Sequence, residues 1–557
     1  MAATSTTNAA PAPRPMTGVE RSMCRGSVWP ADCEVPEHGS VVNGALFFRR
    51  LPAMEAITTE LCSVFSSQVR FRSLATKDGT WEPTTLDLNY HFVQEEAVAG
   101  QADAQRLVED IIQQDLDHNF PLWRVHVVPV QDSRGLSIIV LRIHHCIGDG
   151  FAIASIFHSL ARSEDGEPVK ETALMRKLAC EQQREQQTCS LATACNGVAR
   201  SANRVRSLVS NSSVPFRPFE TETKFTKPRA ERGKGFRFGT RRHVVYVPAH
   251  SLQYVKNCKN AARMSVNDVV FSATSGALRR YCESRGDPAF VEGGFVRARA
   301  LIPVANPDRG SQHPHDDLAN NFGFVSCRMA LSEAEPLDRL RQTSSNMSKI
   351  KRSRKAEMSL WQTNKLGDVF SERVNQGVAR DLFSKHSLVF SNVPGPDVPI
   401  FIAGEPLEAA QAIFPNYLSQ VILLSYNGRV HMNFTVDPEV VEDADSLADC
   451  YLAELRAIGS ALGVEGDPLE CIPPTEIMDT FALCARGRYS CALRQRQLEG
   501  GHEAAVVTDN MQGKEAAAAV DEPPADHADH ANNADNAAEN VTGGVATELT
   551  DDYANEY

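Results

Sequence analysis

Between residues 40 and 462 the chain alternates short apolar runs with stretches whose apolar residues recur every three or four positions, so strands and amphipathic helices are interleaved. In the first half, residues 40–165, the pattern predicts a helix over Pro52 to Gln68, strands around Leu86 to Phe92, and a helix over Asp103 to Asp117. A hairpin-like pair follows, Leu122 to Val130 and Leu136 to Ile143, then a helix after Gly150. In the second half, residues 236–462, a strand is expected at Arg242 to Val247 and helices at Ser251 to Ala262 and Asp268 to Tyr281. Further strands are expected at Ala298 to Val304, Phe322 to Ala330, Ser387 to Asn392, Gln420 to Tyr426 and Arg429 to Val436. Both halves mix the two element types, which places the chain in the α/β (α+β) class.

Between the halves the periodicity fades, and residues 166–235 read as a basic linker. From Arg176 to Arg242 there are fifteen Lys/Arg against five Asp/Glu. Within this segment Leu191, Cys195, Val198, Ala202, Val205 and Val209 recur at spacings of three and four, with Arg200, Arg204 and Arg206 on other faces. Such a helix either lies on an anionic membrane or lipid droplet, or packs as a solvated linker helix on its own domain. Residues 1–39 are Ala/Ser/Thr/Pro-rich without an apolar core, which excludes a secretory signal and predicts disorder, a plastid or mitochondrial transit peptide being the alternative. Residues 463–557 form a C-terminal extension that turns acidic and low-complexity from about 491, where disorder is expected.

Charge alters the picture once it is apportioned. The net charge is −13, yet residues 501–557 hold thirteen acidic residues against Lys514, so the body is close to neutral. A nucleic-acid partner is therefore not expected. Lys349 to Lys355 is a second basic cluster, either a solvated helix face or a surface for phosphates. Fourteen cysteines are scattered without CxxC spacing, which fits a reducing compartment. No apolar run reaches the ~18 residues that a membrane-crossing helix needs, so membrane contact is expected to be peripheral. The His/Asp alternation near Ala525 to Asp535 is too weak a pattern to assign a metal, and none is expected.

The chemistry concentrates in His144-His145-Cys146-Ile147-Gly148-Asp149-Gly150, directly after the apolar run Leu136 to Ile143. An imidazole at a strand end can take a proton from an alcohol or amine near pH 7, since its ordinary pKa lies there. His145 is the candidate base, with His144 beside it. Asp149 is too near in sequence to be a triad partner and is given a structural role, and the glycines, Gly150 included, suggest a sharply turning backbone where substrate approaches. The competing account is a hydrogen-bonded core histidine pair. Cys146 is a poor nucleophile candidate because strand alternation turns it away from His145.

The seven-residue pattern HHxxxDG resembles the signature of the CoA-dependent acyltransferase superfamily, and its flanks are similar to one branch, the wax ester synthase/diacylglycerol acyltransferases. Pro121-Leu122-Trp123 precedes the histidines, and Ser265-Val266-Asn267-Asp268-Val269-Val270 leads into Phe271 to Tyr281. Val296 to Val304, Asn320-Asn321-Phe322-Gly323, Ser391 to Pro396 and Leu424 to Pro438 follow in that family's order, so the resemblance spans about residues 40 to 460. It implies two chloramphenicol acetyltransferase-like lobes with an active-site tunnel between them. It also implies transfer of a fatty acyl group from acyl-CoA, a co-substrate with no further cofactor, to diacylglycerol or a fatty alcohol.

In that reading Arg299 meets Asp149, and Asn267 with Asp268 either caps a helix or takes part in chemistry. Ser391 to Pro396 borders the site. The expected setting is intracellular and peripheral, on endoplasmic reticulum, plasma membrane or lipid droplet, with a plastid as alternative. Two other readings remain: a condensation-type amide or ester synthase fed by a carrier-bound donor, and a non-catalytic lipid-surface protein.

Overall fold

The computed structural model describes residues 13–24, 40–169, 204–213, 216–226, 241–291, 294–305, 318, 320–353, 355–366, 372–416 and 418–470. Two mixed sheets organise them. The first has the strand order Ala409–Ile413, Val41–Phe48, Ser137–His144, Trp123–Val128, Phe92–Gln94. Its centre is Ser137–His144, which is buried at every position. A strand covered on both faces cannot alternate, and this explains its unbroken apolar run. The second sheet runs Phe322–Met329, Ala298–Ala305, Leu388–Pro394, Ser419–Tyr426, Arg429–Val436, His243–Ser251. Leu388–Pro394 lies parallel to both of its neighbours. Each sheet carries its own apolar core, and the α/β (α+β) class with two lobes is the architecture found.

The strands and helices expected around the histidine motif and across the second half are present within a few residues of their predicted ends. One expectation fails near Leu86 to Phe92, where Leu88–His91 is helical and only Phe92–Gln94 is strand. The Asp87 side chain accepts from Asn89 N at 3.0 Å, a local cap that competes with strand pairing.

The lobe boundaries also need correction. Residues 14–24, expected to be disordered, form the strand Arg14–Pro15 and the helix Gly18–Cys24, burying Met16, Val19 and Met23 in the first lobe's core. Residues 216–226, assigned to the linker, belong to the second lobe, since Phe225 joins its core and Thr221 N donates to Arg297 O at 2.8 Å. Strand Ala409–Ile413 comes from the second half but pairs with Val41–Phe48 in the first sheet. Of the proposed helical stripe only Val205 and Val209 are described, both exposed, while Arg204 pairs with Glu357 at 2.8 Å. The acidic tail lies outside the described residues.

The lobes share a third apolar cluster, in which Phe47, Val108 and Val140 meet Val244, Tyr246 and Ile413. A polar clamp stands beside it. His243 bonds Glu109 of the helix Gln101–Ile112 at 2.9 Å and Asp445 at 2.8 Å. Among the described residues no helix is long and apolar enough to cross a membrane.

Candidate active site

The strand Ser137–His144 ends in a tight turn that releases the chain into the helix Gly150–Leu160. Ile147 N donates to His144 O at 2.9 Å, closing the turn, and His145 N donates to Ser40 O at 2.6 Å. Arg70 Nη1 donates to Ile147 O at 2.7 Å, and its other end pairs with Glu20 at 2.8 Å. The helix Gly18–Cys24 thus braces the turn from below. Glu20 also accepts from Trp81 Nε1 at 3.2 Å, so a buried ion pair is fully engaged there.

Asp149 is 3% exposed and caps the helix, its Oδ1 accepting from Ala152 N at 2.9 Å. Its Oδ2 accepts from Asn321 N at 3.0 Å, a residue of the second lobe. The expected pairing with Arg299 is not what the structure shows. Arg299 Nε pairs with buried Glu220 at 2.7 Å and Nη2 donates to Pro218 O at 2.6 Å, so its charge is spent holding residues 218–220 to the second sheet. Residue spacing could not reveal Glu220 as the competitor. Neither Gly148 nor Gly150 has a left-handed backbone, so the turn is made without a positive φ at either. A Cβ on Gly148 would stand 3.0 Å from that of Ala152, whereas Gly150 has open space.

His144 and His145 separate in role. His144 is 2% exposed, its Nδ1 accepts from Cys146 N at 3.2 Å, and its ring faces His118. Burial, with His118 and His145 nearby, holds its pKa down at about 3, so it is neutral and braces the turn. His145 is partly exposed, with Phe322 and Phe414 at ring-centroid distances of 5.3 and 5.8 Å. Its Nδ1 is 3.1 Å from Asn320 Oδ1, and among the described residues Nε2 has no partner. Burial lowers its pKa, opposed by the Asp149 charge, so the ring is neutral at pH 7. Cys146 is fully buried and its thiol pKa is raised well above the ordinary value, chiefly by burial, which leaves no thiolate for nucleophilic attack.

The remaining blocks are supports. Trp123 is fully buried, donates Nε1–H to Phe71 O at 2.9 Å and stacks on His91 at 3.9 Å, while Leu122 O accepts from His144 N. Asn267 and Asp268 are not the cap of their helix. It runs Val266–Ser284 with Ser265 as N-cap, and Asp268 closes the capping box by accepting from Ser265 N at 3.0 Å. Asn267 Oδ1 instead accepts from Asn392 Nδ2 at 2.8 Å, joining this block to Ser391 to Pro396. Asn320, Phe322, Phe414, Ser40 and Arg70 surround the motif without having been singled out. Only the presence of Asn320 and Phe322 in a recognised block hinted at a role for any of them.

Comparisons with known proteins point to one family. A model of the wax ester synthase/diacylglycerol acyltransferase catalytic domain matches residues 18–270, and one of the WS/DGAT C-terminal domain matches residues 318–459. Wax ester synthase/diacylglycerol acyltransferase 11 of Arabidopsis thaliana is 25% identical over 428 residues, 69% of this chain and 83% of that protein. Number 9 of the same plant is 26% identical over 432 residues, 72% of this chain and 88% of that protein. Among solved structures, the wax ester synthase/diacylglycerol acyltransferase of Marinobacter aquaeolei VT8 is similar in fold, with a TM-score of 0.53 at 17% identity, covering 81% of this chain and all of that one. The first condensation domain of the calcium-dependent antibiotic synthetase gives 0.50 at 12% identity, covering 84% and 100%.

Proposed function

The chain belongs to the wax ester synthase/diacylglycerol acyltransferase family, a family of acyltransferases, and from that premise we propose that it moves a long-chain acyl group from acyl-CoA to the hydroxyl of diacylglycerol or a fatty alcohol. His145 acts as general base. Its Nε2 takes the hydroxyl proton as the oxygen attacks the thioester carbonyl, the C–S bond breaks, and the imidazolium returns the proton to the CoA thiolate. Both substrates are held together, so much of the acceleration comes from orientation. His144 and Asp149 position the turn, Gly150 starts its helix, and Asn267 and Asp268 shape the second lobe's side of the site. The lipid acceptor reaches the enzyme from a peripheral membrane or lipid-droplet surface.

The observation that carries this reading is one neutral, partly exposed imidazole with Nδ1 engaged and Nε2 open, on a turn bordered by both lobes. The test uses purified protein, labelled palmitoyl-CoA and either hexadecanol or diacylglycerol, with products separated by thin-layer chromatography. His145→Ala should lower the rate by a factor on the order of 10² to 10⁴. Undiminished ester formation by that variant would remove His145 from the chemistry.

A further inference from the structure

A neutral imidazole carries one proton on either of two nitrogens, and only the form with the proton on Nδ1 leaves a lone pair on Nε2. Which form is present depends on what Nδ1 faces. Here it faces an amide oxygen whose identity is fixed by a second bond. Asn320 Nδ2 lies 3.1 Å from the backbone oxygen of Cys146, which can only accept, so the amide nitrogen points there and Oδ1 points at His145. Oδ1 is an acceptor, and the nitrogen 3.1 Å away must therefore be the donor.

We propose that Asn320 is the positioning residue that holds His145 as the Nδ1–H tautomer and so keeps Nε2 ready to accept the proton of the acyl acceptor, an inference that rests on His145 being the base. Asn320 is 8% exposed and lies in the second lobe, 175 residues from the ring it holds. Three contacts dock its loop onto the motif turn. Asn320 grips both His145 and Cys146, Asn321 N donates to Asp149 Oδ2 at 3.0 Å, and Leu318 joins the first lobe's core, to which Ile147 also belongs. The ring also lies against its own backbone carbonyl, a second acceptor that raises its proton affinity alongside Asn320. The groups of charge or titration near the ring are Asp149, whose field favours the imidazolium, His144, neutral with its pKa at about 3, and the protonated thiol of Cys146.

The experiment uses the full chain with ¹⁵N-labelled histidine rings. Long-range proton–nitrogen correlation reports the tautomer, and the His145 signals are those lost in His145→Gln. The wild type should show an Nδ1–H ring. Asn320→Leu should give a mixed or Nε2–H ring and lower kcat roughly ten- to a hundredfold, with KM for either substrate moving less than about threefold. Asn320→Asp keeps an acceptor at Nδ1, so it should retain the Nδ1–H form, recover much of kcat, and shift the acid limb of kcat/KM to higher pH because an anion favours the imidazolium. Wild-type tautomer and kcat in Asn320→Leu would overturn the proposal by showing that the ring's own carbonyl suffices. Should that variant not fold, Asn320→Asp decides: an Nε2–H ring there overturns the proposal equally. Loss of the base reading is seen separately, as ester formation by His145→Ala.

Discussion

Asp149 binds two backbone N–H groups in different lobes and lends its charge to His145, so its replacement should separate structural from electrostatic effects. In Asp149→Ala the helix Gly150–Leu160 loses its cap bond from Ala152 N, worth about 1 kcal/mol, and Asn321 N loses a partly buried acceptor, worth about 1–3 kcal/mol. Together the loss of stability should be about 2–4 kcal/mol, read from urea unfolding midpoints at unchanged slope. Asp149→Asn keeps one acceptor oxygen but turns an NH₂ group toward the other donor, so it should recover only part of that loss. Charge behaves differently. The carboxylate raises the pKa of His145 against the lowering effect of burial, so both variants should move the acid limb of kcat/KM to lower pH by a similar amount. Both should also lose kcat, because the imidazolium formed during transfer loses a stabilising anion. An acid limb unmoved in both variants, or Asp149→Asn as stable as wild type, would refute the two-part account of this residue.

Other substitutions probe the supports. Arg299→Met strands buried Glu220 and should cost about 3–5 kcal/mol in unfolding measurements, yet leave the acid limb of kcat/KM where it is, whereas a partner of Asp149 would move it. Gly323→Ala places a Cβ on the Ala356 backbone carbonyl and must push the helix Lys355–Leu366 off strand Phe322–Met329; a loss of about 1–3 kcal/mol and faster proteolysis of that helix are expected. The His243 clamp should weaken at alkaline pH. Burial would lower its pKa, but bonds to Asp445 and Glu109 raise it to about 10, so its stabilising effect is complete below about 6.5 and fades as pH rises towards 10. Wild type should therefore lose on the order of a few kcal/mol more than His243→Gln between pH 6 and pH 10, measured by urea unfolding.

How much of this was legible in the sequence depends on the range of the interaction. The histidine turn was legible because everything it needs locally lies within seven residues: a buried strand end, a short bend and an aspartate that caps the next helix. The mixture of strands and helices was legible from periodicity, and the two lobes from the family resemblance. Residues 14–24 were not, because a seven-residue helix in an Ala/Pro-rich context has almost no periodic signal, and it owes its place to Glu20 meeting Arg70 and to the burial of Val19 and Met23. Arg299 was misassigned for a related reason. Family order brought Arg299 to attention, but nothing within one sequence distinguishes Asp149 from Glu220 as the carboxylate it meets.

In the proposed mechanism, long-range assembly is also what turns an ordinary strand-end histidine into a usable base. Ser40 holds its backbone, Phe414 comes directly after the strand that the second half contributes to the first sheet, and Asn320 and Phe322 enter from the edge of the second sheet. In an isolated first lobe Asp149 would keep its helix cap but lose Asn321, and Nδ1 would lose Asn320. The exposed ring would then lose much of the burial that depresses its pKa. Docking of the lobes therefore acts on proton affinity and tautomer together, and the apolar cluster around Tyr246 and Ile413, with the His243 clamp beside it, holds the docked state in which both are set.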